Sequence, residues 1–153
     1  MMSPTQTAPT IHNAGTQPTT RRKLFVNIPV ADLQRSIDFF EGLGFTFNQQ
    51  FTDATATCML VGEDAYFMLL TREKFREFSK RTASDPQQET AGLFAVSVDS
   101  RADVDDLVQK AISSGGSRVG DPQDHGFMYT SSFYDPDGYH WEVFWMDPST
   151  IQD

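Results

Sequence analysis

A chain of 153 residues with 12 Lys and Arg against 21 Asp and Glu is long enough for one domain with a real hydrophobic core. Its formal net charge of −9, with no basic run beyond Arg21-Arg22-Lys23, excludes nucleic acid as an expected partner. No stretch approaches the roughly 18 apolar residues of a membrane span, no secretory leader pattern is present, and the single cysteine, Cys58, permits no internal disulfide, so no membrane partner is expected and the cytoplasm is the expected compartment.

The first 20 residues contain no Asp, Glu, Lys or Arg and are dominated by Thr and Pro, which predicts a disordered N-terminal tail over residues 1–22. His12 sits in that tail and is assigned no role. KLFVNIPV predicts a strand that Pro29 closes, and Asp32 stands ready as the N-cap of a helix through LQRSIDFFEGL. Leu33, Ile37, Phe40 and Leu43 share one face of that helix, and Gly44 is placed to end it in a left-handed conformation. Phe45, Phe47, Gln49 and Phe51 alternate as a strand does, and ATCMLVG and AYFMLLT predict two more strands. A short helix follows from Thr71 or Arg72 to about Arg81, with Phe75 and Phe78 as its buried residues. Its Arg72, Lys74, Arg76, Lys80 and Arg81 interleave with Glu73 and Glu77, the pattern of a solvated face. The polar TASDPQQETA reads as linker.

The second half starts again with a strand, GLFAVSVD. Ser100 and Asp103 resemble a capping box, Val104, Leu107, Val108, Ala111 and Ile112 form a helical stripe, and Gly115-Gly116 stop it. SRVGDP supplies a short strand and HGFMYTSSFY a longer one. Asp135-Pro136-Asp137-Gly138 suits a type I turn, and YHWEVFW is the last strand. Alternation along it sets His140, Glu142, Phe144 and Met146 on one face, with Tyr139, Trp141, Val143 and Trp145 on the other. Strand, helix and three strands thus occur twice, and each half offers one helix against a sheet.

FVNIPVADLQRSIDFFEGLGF at 25–45 and DPDGYHWEVFW at 135–145, with LFAVSVDSRADVDDLVQKAISSGG between them, resemble the vicinal oxygen chelate superfamily of glyoxalase I, extradiol dioxygenases and bleomycin-resistance proteins. The resemblance covers residues 23–147, divided into modules at about 23–71 and 92–147 with a linker at 72–91 and a C-terminal tail at 148–153. It implies an α+β fold in which two βαβββ modules form a half-open barrel around a concave ligand cavity, as a homodimer. Metal-dependent members carry ligands on the first and last strand of each module. The matching positions here are Phe25, Met68, Leu93 and Glu142. Only Glu142 is a metal donor, whereas a transition metal wants at least three N, O or S donors, so no cofactor is expected and a divalent metal would have to recruit other groups.

Glu142 either faces a cavity with Phe25, Met68 and Leu93, where burial would disfavour its charged form and suit acid–base catalysis, or is a structural carboxylate. His140 is a candidate to orient it or the ligand, or a plain hydrogen-bonded histidine. Asn27 shares the face of Phe25, His125 lies in a Gly-containing segment at a strand entrance, and the Tyr129 phenol could meet a bound carbonyl or serve only as core. Cys58 has no basic sequence neighbour and reads as a structural thiol. The leading functional expectation is a protein binding a small aromatic or amphipathic molecule in an apolar cavity, with metal-free acid–base chemistry at Glu142. The alternatives are a metal-dependent lyase or dioxygenase and a non-catalytic interaction module.

Overall fold

The computed structural model describes residues 6–150; the first five residues of the expected N-terminal tail and the last three of the C-terminal tail lie outside them. No helix or strand precedes Leu24 among the described residues. The first half runs β1 (Leu24–Val30), α1 (Leu33–Gly42), β2 (Thr46–Asn48), β3 (Ala56–Gly62) and β4 (Ala65–Thr71). A short helix, α2 (Arg72–Phe78), leads to the second half. There β5 (Phe94–Ser97) and α3 (Arg101–Ser113) precede β6 (Ser117–Arg118), β7 (Gln123–Asp124), β8 (Met128–Tyr134) and β9 (His140–Met146).

The two sheets repeat one topology. β1-β4-β3-β2 in the first corresponds to β5-β9-β8-β6 in the second, with β7 added beside β8. In each, the opening strand runs parallel to the closing strand, because the helix between them carries the chain back across the sheet. The result is a mixed α+β fold of two βαβββ modules and no closed barrel.

Capping follows local chemistry. Asp32 Oδ1 accepts from the Arg35 backbone N–H at 3.1 Å, and Ser100 Oγ accepts from that of Asp103 at 3.1 Å. Gly44, at φ 96°, ends α1 in the conformation that only glycine adopts without strain. The core forms where the inner faces of both sheets meet the two long helices. Trp141 is fully buried, its ring centroid 4.8 Å from that of Phe67, 5.1 Å from Phe94 and 5.2 Å from Phe40. A truncation of this indole to Ala would cost roughly 3–5 kcal/mol. One core is therefore shared by the strands of both halves and by α1.

Beyond β7, which the sequence did not suggest, and the later start of β8 at Met128, three elements differ from the sequence reading. The buried face of α1 centres on Ser36, Phe39 and Phe40, with Leu33 and Ile37 only half-buried. The helix packs against the second module as well as its own sheet, with Phe39 5.9 Å from Phe133, and this turns its buried arc toward Phe39. A β-carbon on Gly42 would lie 2.6 Å from Ser114 Oγ. β2 stops at Asn48, whose side chain accepts from the Gln50 N–H at 2.9 Å and winds residues 49–51 into a tight 3-10 turn in place of a strand. α2 ends at Phe78, so that Phe78, expected to be buried, is 65% exposed, with Lys74 Nζ 5.5 Å from its ring centroid.

Candidate functional site

β9 lies between β5 and β8 and exposes alternate residues to opposite faces. Trp141 and Val143 are fully buried in the shared core, which turns His140, Glu142 and Phe144 to the outer, open face. In register, Glu142 pairs with Ala95 of β5 and Ser132 of β8, and Phe144 with Ser97 and Thr130. His140 pairs with Tyr134, and their rings meet edge-on at 5.6 Å. Small side chains on both neighbouring strands leave a cleft of about 260 Å³ in front of the carboxylate, bordered by Leu93, Thr130, Ser132, His140 and Glu142.

Glu142 is half-buried and takes part in no ion pair among the described residues. Its oxygens are thus open to a ligand. Leu93, one residue before β5, is 51% exposed at the cleft rim.

Phe25, Asn27 and Met68 occupy the outer face of the first sheet, opposite the buried Ile28, Phe67 and Leu69. Phe25 stacks on Tyr66 at 4.6 Å and is 47% exposed, and Asn27 Nδ2 donates to the Phe25 carbonyl at 3.3 Å. Asn27 and His140 border a second cleft of about 360 Å³ with Phe75, Phe94 and Tyr139. Phe25 and Met68 are not among the residues that border the Glu142 cleft.

Tyr129 and His125 stand apart from this cleft. The Tyr129 hydroxyl donates to Asp105 Oδ1 at 2.7 Å, a bond that raises its pKa and ties β8 to α3 on the core side. His125 is exposed in the turn between β7 and β8, where its backbone N–H donates to the Met128 carbonyl at 2.8 Å. Beside it Arg101 pairs with Asp124 at 2.8 Å and lies over the Trp145 ring at 5.0 Å. Cys58 is buried, and desolvation raises its thiol pKa, which disfavours the thiolate.

The donor set does not fit a transition metal. No group of three or more His, Cys, Asp or Glu side chains converges closely enough to hold a metal ion among the described residues, although Asp121 and His140 border the same cleft as Glu142.

Two carboxylates that the turn pattern alone did not single out are the buried ones among the described residues. Asp135 and Asp137, each 5% exposed, sit in the turn before β9. Asp135 Oδ1 accepts from the backbone N–H groups of Asp137, Gly138 and Tyr139, each at 3.0 Å, and Oδ2 accepts from Trp141 Nε1 at 3.0 Å. Burial pushes its pKa up to about 6 against the pull of those donors. Asp137 crosses to the first module, where its carboxylate accepts from the Ala31 N–H at 2.8 Å and from Arg35 and Ser36 at 3.3 Å each. Their role is to hold the root of β9, and with it Glu142, against α1. A DPDG turn flanking a buried Trp was the available signal; its partners, some 100 residues away in sequence, were not.

Residues 23–143 match the profile of the Glyoxalase/Bleomycin resistance protein/Dioxygenase superfamily. Among solved structures, the chain resembles a hypothetical protein of S. aureus at 25% identity and TM-score 0.70, over 84% of this chain and 95% of that one. A lactoylglutathione lyase of Agrobacterium tumefaciens matches at 14% identity and TM-score 0.62, over 89% of this chain and 100% of that one. An antibiotic binding protein, TnmS3, of Streptomyces sp. CB03234 matches at 17% identity and TM-score 0.59, over 85% and 99%. A comparison with curated proteins finds no match. With four-fifths of its length under the family profile and the paired βαβββ topology on the page, the chain belongs to the glyoxalase/bleomycin resistance protein/dioxygenase superfamily.

Proposed function

We propose that this chain binds a small aromatic or amphipathic molecule at the outer face of β9, and that Glu142 serves there as hydrogen-bond acceptor and proton carrier without a metal. The supporting observation is a half-buried carboxylate with no ion-pair partner among the described residues, fronted by a cleft with Leu93 and Val119 as apolar walls and with His140 and Asp121 in its lining. A carboxylate so placed can take a proton from an acidic O–H or C–H of the ligand and return it, with His140 orienting the reacting group. Two fold relatives, an antibiotic binding protein and a lactoylglutathione lyase, bracket the range from binding to turnover.

A second copy of the chain completes the site in this reading. Phe25 and Leu60, on the outer face of the first sheet, and Leu93, at the rim of the Glu142 cleft, are each at least 37% exposed. Covering them with a partner's sheet would bring Phe25 and Met68 of one chain opposite Glu142 of the other and turn the shallow cleft into a cavity. Those incoming residues add no metal donor, so the dimer would not repair the ligand set for a metal-dependent lyase or dioxygenase. The lone buried thiol suits a reducing cytoplasmic setting.

Thermal melts and calorimetry against a panel of phenols, quinones and aromatic carbonyl compounds test the reading, with sedimentation to establish the dimer. A ligand that binds only the folded chain raises the melting temperature. Glu142→Gln should weaken it about tenfold and abolish deuterium exchange at the ligand's acidic position. A ligand bound equally by parent and variant, or a stoichiometric metal released by EDTA together with the melting shift, would sink the assignment.

A further inference from the structure

We propose a second site, independent of Glu142, that takes an amphipathic organic anion: a carboxylate or phosphate head held by Arg72, Arg76 and Arg81, and an apolar body seated beside Phe75, Phe94 and Tyr139. The three arginines line one cleft of about 460 Å³ where α2, the segment after it and the DPDG turn meet. Arg72 and Arg76, four residues apart on α2, project from one side of the helix. The chain then reverses. Ser79 Oγ donates to the Arg81 carbonyl at 2.7 Å and accepts from the Arg81 N–H at 3.3 Å, and this tight turn brings the third guanidinium to the same cleft. What the sequence suggested was a solvated face; the fold gathers its arginines around a hollow.

In an acidic protein, such a gathering is unbalanced. Arg21, Arg35, Lys74, Arg101 and Lys110 each meet a carboxylate within 4.0 Å, whereas Arg72, Arg76 and Arg81 meet none among the described residues. Two carboxylates do border the cleft, and both are engaged elsewhere. Asp85 Oδ1 accepts from the Gln87 N–H at 2.9 Å, and the Asp137 carboxylate is held by Ala31, Arg35 and Ser36. Thr82 and Ser84 add hydroxyl donors to the lining. Like charges at this spacing repel, and an anion between them removes the repulsion while meeting planar donors suited to two oxygens at once.

The head site does not stand alone. The cleft of about 360 Å³ beside it has Pro29, Ala83, Ser84, Pro86 and Tyr139 in common with it, so the two are continuous. Its further lining is mostly apolar, with Ile28, Phe75 and Phe94, and carries Asn27, Glu89 and His140 as polar groups. Phe75 sits on α2 between the two helical arginines, which fixes the charged and apolar parts on one element. A polar end and an apolar hollow joined in this way match a ligand with one anionic head and a hydrocarbon or aromatic body, in the size range of small-molecule sites.

Calorimetry on the intact chain with decanoate, decyl phosphate and decanol tests the proposal. At least one of the two anions should bind roughly tenfold or more tightly than the alcohol. The double variant R72A/R76A, and R81A separately, should each remove about tenfold from anion binding and leave the alcohol unchanged; these side chains are exposed, and melting curves check that the fold is kept. Phe75→Ala should weaken both head types, and Glu142→Gln should change neither, which separates this site from the one above. Preference for one anion over the other identifies the head. Equal binding of anion and alcohol, an affinity for the anions unaltered by the arginine variants, or no anion binding at millimolar concentration would overturn it.

Discussion

Asp137→Ala removes the carboxylate that joins the two modules at the root of β9. Three donors from the first module lose their acceptor: the Ala31 N–H at 2.8 Å, the Ser36 hydroxyl at 3.3 Å and the Arg35 guanidinium at 3.3 Å. A hydrogen bond to a charged acceptor contributes about 1.5–3 kcal/mol, and the short Ala31 bond belongs in that range. The Ser36 bond is long, but it is buried, and leaving its hydroxyl unpaired adds about 1 kcal/mol. Arg35 is 45% exposed at its side chain, so solvent screening leaves its pair at well under about 1 kcal/mol. The expected loss is about 3 kcal/mol, or roughly 10 °C in Tm for a chain of this size. Asp137→Asn keeps an acceptor for Ala31 and should lose about half as much, and Arg35→Ala should stay under about 1 kcal/mol. Urea unfolding of the three variants measures this directly. An Asp137→Ala chain within about 0.5 kcal/mol of the parent, with an unchanged m-value, would refute the latch.

Gly138→Ala should lose about 2–4 kcal/mol, because φ is 103° there and the added carbon would meet the Pro86 carbonyl oxygen at 2.9 Å; calorimetric Tm reads it, and an unaltered Tm contradicts the close approach. Ser131 Oγ is buried without a hydrogen-bond partner among the described residues, so Ser131→Ala should be neutral or stabilise by up to about 1 kcal/mol, and a clear loss in urea unfolding would mean the hydroxyl is engaged. The Asp135 carboxyl, pushed up to about 6 by burial from an ordinary 3.8, binds its proton more tightly folded than unfolded. Its contribution to stability is therefore fully present below about 3.8 and lost as pH rises through about 6. The carbon-13 resonance of that carboxyl should titrate near pH 6, and a midpoint below 4 would show that the four N–H donors outweigh burial.

Much of the fold is legible in local patterns, because strand alternation, helical stripes and caps need only neighbours a few residues away. Asp32 and Ser100 cap the helices their spacing predicts, and the alternation of YHWEVFW puts Glu142 and His140 on one face with Trp141 buried on the other. Local patterns mislead where local chemistry competes or packing intervenes. Asn48 bends the chain out of β2 through its own side chain, and Ser36, unremarkable in a helical stripe, is buried because Asp137 reaches it from the other module.

By itself, the sequence determined that two similar βαβββ halves would form and which strand would carry Glu142, since these follow from residue type and short spacing; that three of the four ligand positions are apolar is what the resemblance implies. Tertiary structure alone decided that Phe25 and Met68 do not border the Glu142 cleft, that Asp135 and Asp137 are buried, and that Arg72 and Arg76 of α2 and Arg81 beyond it border one cleft. Each of those depends on contacts between segments far apart in the chain. Their geometry is set by how two sheets share a core, and no periodicity in the sequence encodes it.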